Sequence, residues 1–149
     1  CIYGTRQFGI EDQGWVAWFT IAAVLGKQIT IYGDGKQIRD VLHVEDLVRA
    51  YEAAIANQED ACGQAFNIGG GPANTMSLME LLTYLEEELM IKIPLEWDAW
   101  RPGDQPVFVC NLDKVKRTLG WQPQISVREG VKNLSGWVAG NKELFAWLK

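Results

Sequence analysis

The chain has 149 residues, 48% hydrophobic and 22% charged, with a formal net charge of −5. That supplies apolar surface for one core without disulfide staples, and scattered basic residues on an acidic chain argue against a nucleic-acid partner. No run reaches the ~18 apolar residues of a membrane span. The start lacks the basic segment of a secretory signal, and three widely spaced cysteines with one histidine favour neither a disulfide framework nor a metal site, so a metal-free protein of the reducing cytoplasm is expected.

In chain order, the sequence opens on CIYGTRQFG, residues 1–9, an apolar strand end followed at once by a loop, as though cut from something longer. Asp12 precedes Trp15 to Leu25, a run apolar almost all round that closes at Gly26, which predicts a buried helix. Residues 29–33 and 38–43 read as strands around the turn Gly33-Asp34-Gly35. Apolar residues at 44, 47, 48, 51 and 55 predict a one-faced helix from Val44, and 65–71 reads as a strand ending in a glycine loop. Ser77 and Glu80 form a capping box ahead of a helix carrying Leu78, Leu81, Leu82, Leu85 and Leu89 on one side. Asn111 to Leu119 makes a short helix stopped by Gly120, with Pro123 beyond, and Ser126 with Glu129 forms a second capping box that starts the last one. A loose turn is expected after Gly140. The layout is a single α/β or α+β domain over residues 1–149.

The chemistry begins with what fails. Gly33 and Gly35 are followed by Ile38, and Gly69-Gly70-Gly71 by Asn74, so neither completes the G-x-G-x-x-G that lets amides approach a pyrophosphate. Tyr32 and Lys36 stand at Y-x-x-x-K spacing, but the residues between them belong to a turn, not to a helix that would put both on one face. His43, the single histidine, lies at a strand-to-helix junction and reads as packed or hydrogen-bonded there. Cys62 and the run Glu86-Glu87-Glu88 read as structural, the glutamates as a solvated helix face. Trp15 and Trp18 share a helix face and read as core or interface in preference to a sugar-stacking platform. Arg39 with Asp40, and Arg101 with Asp104, are more informative. A guanidinium fork suits phosphate oxygens and a carboxylate accepts from a ribose diol, so such pairs can hold a nucleotide diphosphate; an Arg–Asp ion pair pinning a loop is the alternative.

The stretches TIYGDGKQIRDVLHVEDLVRAY, AFNIGGG with NTMSLMELL, and RPGDQPVFVCNLDKVKRTLGWQP, in that order, resemble the C-terminal substrate domain of the extended short-chain dehydrogenase/reductases that act on nucleotide sugars. The resemblance covers essentially the whole chain. Its narrower part, RDVLHVEDL together with Asp12-Gln13-Gly14-Trp15-Val16-Ala17-Trp18-Phe19, points to members that epimerise a CDP-sugar at C2. A 4-epimerase or 4,6-dehydratase on UDP- or dTDP-sugars is the runner-up, and a non-catalytic sugar-nucleotide-binding or interaction module is the contrasting class.

The resemblance implies that Arg39 and Arg101 reach the pyrophosphate and that Asp104 holds the ribose. It further implies that Thr30 and Tyr32 contact the base, that Gln13 and Gly14 meet the phosphates, and that Cys1 lies near the sugar and the nicotinamide. It also implies a small mixed sheet with packed helices, residues 1–10 being the end of a dinucleotide-binding half. That half, with the glycine fingerprint and the Y-x-x-x-K pair, would precede Cys1. The complete enzyme would use tightly held NAD to take a hydride from C2 and return it to the opposite face. This chain alone is expected to be inactive, not to bind NAD, and to self-associate.

Overall fold

The computed structural model describes residues 1–148 and is a mixed α/β arrangement of short strands and six α-helices. Helix α1 (Trp15–Leu25) is its centre: seven of its eleven residues are buried. A helix apolar on every side has no face to give to water, so α4 (Leu78–Leu89) and α6 (Val127–Gly140) pack around it. It ends where Gly26 takes the left-handed conformation and the N–H of Lys27 returns to the Ala22 carbonyl. Asp12 does not cap α1. Gly14 occupies that position with no side-chain cap, and Asp12 is drawn away to Arg101.

Three small sheets surround this centre. Strand β1 (Ile2–Tyr3) pairs in parallel with β4 (Leu42–His43). Strand β2 (Ile29–Tyr32) pairs in parallel with β6 (Leu95–Asp98), and β3 (Ile38–Asp40) lies between antiparallel β5 (Thr75–Ser77) and parallel β7 (Val107–Phe108). The strands flanking the turn Gly33-Asp34-Gly35 therefore do not pair with each other. The single strand expected over 38–43 is also two, broken at Val41, whose N–H goes to the Asn74 carbonyl. Residues 65–68 belong to no strand, so the strand expected there is not formed.

Helix α2 (Val44–Ala56) shows the largest departure from the pattern. Its buried residues are Asp46 and Ala50, whereas Val48, Tyr51 and Ile55 are 50%, 63% and 74% exposed. Asp46 accepts from the N–H groups of Gln124 (2.8 Å) and Ile125 (3.0 Å) and from Arg49, and its carbonyl accepts from the Trp121 indole (3.0 Å). One carboxylate with three donors thus decides which face turns inward. Around it Leu42, Ala50, Val115, Leu119 and Trp121 form a second, smaller core with α5 (Asp113–Leu119), and a short helix, α3 (Gln58–Ala61), precedes the exposed Cys62.

The first capping box folds as read, and the second, expected at Ser126 and Glu129, forms only by half. Ser77 and Glu80 satisfy each other's backbone N–H, and the Ser126 hydroxyl accepts from Glu129. The end after Gly140 is not loose. It makes a 3-10 turn, Lys142–Phe145, that buries Phe145 beside Phe8 and Trp137. Glu86 and Glu88 pair with Lys92 and Lys132, and none of the described helices is long and apolar enough to cross a membrane.

Candidate functional site: a polar cleft at the end of β2

The loop before α1, the neighbouring strands β2 and β3, and the loop 101–104 converge on one open cleft of about 370 Å³. Strand β2 contributes Thr30 and Tyr32. Because successive strand residues alternate faces, Ile29 and Ile31 go fully into the core while these two turn outward to the cleft. Strand β3 contributes Arg39 by the same alternation; Asp40, its neighbour, points away and is fully buried, accepting from the N–H groups of Gly71 (3.0 Å) and Cys110 (3.2 Å). Arg39 and Asp40 are adjacent in sequence and are not partners.

The loop Arg101-Pro102-Gly103-Asp104 is a tight turn. The Asp104 N–H donates to the Arg101 carbonyl (3.1 Å), Pro102 takes the second position, and Gly103 the third with φ 80°. That is the pattern of a type II turn, and it delivers both charged ends to the same rim. Arg39 then pairs with Asp104 at 2.5 Å and donates to the Ile38 carbonyl (2.9 Å). Arg101 lies 3.9 Å over the Tyr32 ring and pairs with Asp12 (3.1 Å), while the Tyr32 hydroxyl donates to Glu11 (2.9 Å). The ion-pair alternative is realised in form, across the cleft instead of between neighbours.

Gln13 and Gly14 complete the rim. Backbone bonds between Ile10 and Gln13 close a small loop, after which Gly14, with φ 76°, turns the chain into α1. The uncapped start of α1 opens on the cleft, and free N–H groups with the positive end of a helix dipole suit an anion. All seven substrate-site residues read from the resemblance thus line one cleft. Cys1 does not line it; its exposed sulfur accepts from the Trp15 indole (3.1 Å), and Trp15 itself is a cleft wall. Trp15 and Trp18 both pack against the core, as read, and Trp15 in addition faces the cleft.

Sequence reasoning missed Gln37 and Glu11. Gln37 is 2% exposed and donates to the Tyr32 carbonyl (2.6 Å) and to Asp104 (3.1 Å). Its signal was a lone amide just ahead of an apolar strand. His43 lies elsewhere, under the start of α2, where its ring accepts from the Glu45 N–H (3.4 Å) and meets Tyr3 edge-on at 5.6 Å. Burial lowers the pKa of His43 and raises that of Tyr3.

The described residues do not themselves build a dinucleotide site. The turn holding Gly33 and Gly35 joins β2 to β3, and Gly69 to Gly71 lead into a 3-10 turn, Pro72–Asn74, so neither is a strand-to-helix cradle. Among the described residues no group of three or more His, Cys, Asp or Glu side chains is placed to hold a metal.

This cleft on this frame defines a class. The profile of the GDP-mannose 4,6 dehydratase family matches residues 14–134, and the chain belongs to that family of extended short-chain dehydrogenase/reductases acting on nucleotide sugars. Over 143 residues it is 42% identical to the CDP-paratose 2-epimerase of Salmonella typhi, covering 93% of this chain and 42% of that one. Among solved structures, the UDP-glucose 4-epimerase of Thermotoga maritima with UDP-glucose is 32% identical with a TM-score of 0.76, over 96% of this chain and 44% of that one. The dTDP-glucose 4,6-dehydratase of Bacillus anthracis str. Ames in complex with NAD is 25% identical with a TM-score of 0.80, over 100% and 45%. The chain spans less than half the length of these relatives.

Proposed function

We propose that this chain is the substrate-binding portion of an NAD-dependent nucleotide-sugar epimerase, acting on a CDP-sugar at C2 in the cytoplasm. The observation that carries the reading is the convergence of Gln13, Gly14, Thr30, Tyr32, Arg39, Arg101 and Asp104, from four separate segments, on one cleft. Two guanidiniums and a helix start offer donors to a diphosphate, and Asp104 offers acceptors to a ribose diol. In this reading Asp104 and Asp12 orient the guanidiniums, whose remaining N–H donors meet the phosphate oxygens. The 42% identity supports CDP and C2 over the 4-epimerase and 4,6-dehydratase alternatives. Cys1, resting on the Trp15 wall, is assigned to the side where NAD and the sugar would meet in the whole protein, and residues 1–10 to the end of the dinucleotide-binding half. These 149 residues bind nucleotide without turning it over, because they carry no Y-x-x-x-K helix. The exposed side of α2 makes self-association the expected state.

Calorimetric titration of CDP, UDP and dTDP tests the reading. Arg39→Lys or Arg101→Lys keeps the charge and loses the fork, so each weakens CDP by about one to two decades, from about 1.5–3 kcal/mol per charge-assisted contact. Lysine variants that bind as well as the unaltered chain leave only an ion pair, and silence toward all three nucleotides refutes binding by this chain.

A further inference from the structure

We propose that Gln37 is a positioning residue that fixes the Asp104 carboxylate for a ribose diol. The proposal rests on the reading of Asp104 given above and assigns a role to a residue outside that set. Gln37 precedes β3, two positions before Arg39, and is 2% exposed although it reaches the cleft wall. Its amide nitrogen donates to the Tyr32 carbonyl (2.6 Å) and to Asp104 Oδ2 (3.1 Å). Both neighbours are acceptors only, so the nitrogen must face them and a carboxylate in its place would set acceptor against acceptor.

Asp104 Oδ1 is held separately, by Arg39. Each carboxylate oxygen therefore has one donor from the protein, which fixes the plane of the group and leaves a further lone pair on each oxygen. Two acceptors held at a set spacing are what a vicinal diol needs. Without Gln37 the carboxylate has one anchor and can pivot about it.

The other end of the amide argues that the position is not merely structural. Gln37 Oε1 is buried with no partner, a cost that an apolar side chain of the same length would avoid while filling the same space. The same amide also joins the end of β2 to the turn carrying Asp104.

The test is calorimetric titration of CDP and of 2′,3′-dideoxycytidine diphosphate into the chain and into Gln37→Met, with thermal melts confirming that each variant folds. Expected are a preference of the unaltered chain for CDP, a loss of about tenfold in CDP affinity for Gln37→Met, and a change of less than about twofold for the dideoxy ligand. Adding Gln37→Met to Asp104→Asn should cost CDP nothing further, since both act through one contact. If Gln37→Met does not fold, Gln37→Asn, one methylene too short to span both acceptors, carries the same expectations. Equal loss for both ligands, or an undiminished CDP preference, overturns the proposal alone. An unaltered chain that binds CDP no better than the dideoxy ligand, or binds neither, overturns the ribose reading and this proposal with it.

Discussion

Replacing Asp46 by alanine should be among the most damaging single changes in this chain, although the residue is remote from the cleft. The carboxylate is fully buried and accepts from the N–H groups of Gln124 and Ile125 at 2.8 and 3.0 Å, with Arg49 as its third donor. Truncation leaves two backbone donors without partners, and each such orphan costs about 1–3 kcal/mol. Their sum, about 4 kcal/mol, corresponds to a fall in Tm of roughly 10 °C for a chain of this size. Asp46→Asn keeps one acceptor oxygen and should lose about half as much. Urea denaturation with the m-value held constant, together with a thermal melt by circular dichroism, measures both. Because the clamp joins α2 to residues 121–125 and touches no cleft residue, CDP affinity of the folded fraction should be unchanged. A loss under about 1 kcal/mol for Asp46→Ala would refute the reasoning, showing that water or a shifted loop satisfies these donors.

His43 makes stability fall in mild acid. Burial sets its folded pKa below the ordinary 6.5, with Glu45, Asp46 and Glu129 only partly opposing, so the unfolded chain takes up the proton first. Stability is therefore retained above about pH 6.5 and lost as pH falls through that value, levelling off below the folded pKa; urea midpoints from pH 7.5 to 5 should show this, and His43→Asn, which keeps a helix cap, should flatten that part of the profile. Two glycines of α6 should respond oppositely to alanine. A Cβ at Gly130 would strike the Tyr3 hydroxyl and crowd the His43 ring, costing about 1–3 kcal/mol, whereas one at Gly136 meets nothing within 4 Å and should stabilise by about 0.5–1 kcal/mol; equal effects in chemical denaturation would contradict the packing described. The exposed stripe Val48, Tyr51 and Ile55 should drive concentration-dependent association, seen by light scattering and reduced by Ile55→Glu; a strict monomer at high concentration counts against it.

Much of the local structure was legible in the residues alone. The all-round apolar run of α1, the Ser77–Glu80 box and the Gly120 stop each contain their own cause within one or two turns, so no distant partner is needed to read them. The α/β class and the cleft residues were legible through resemblance, in motifs whose spacing is set by local turns such as Arg101-Pro102-Gly103-Asp104. Tertiary structure alone decided the pairings. Strands β2 and β3 leave a two-strand pattern to join separate sheets because their hydrogen-bond partners lie 60 and more residues onward for β2 and in two different segments for β3, and pairing of that kind leaves no periodic trace. It also turned Val48, Tyr51 and Ile55 of α2 outward while Leu47 packs on the second core, since one buried carboxylate with three donors outweighs apolar side chains that any apolar neighbour can cover equally well. And it set Arg39 against Asp104 instead of Asp40, because alternation along β3 sends neighbouring residues to opposite faces, one to the cleft and one to the core.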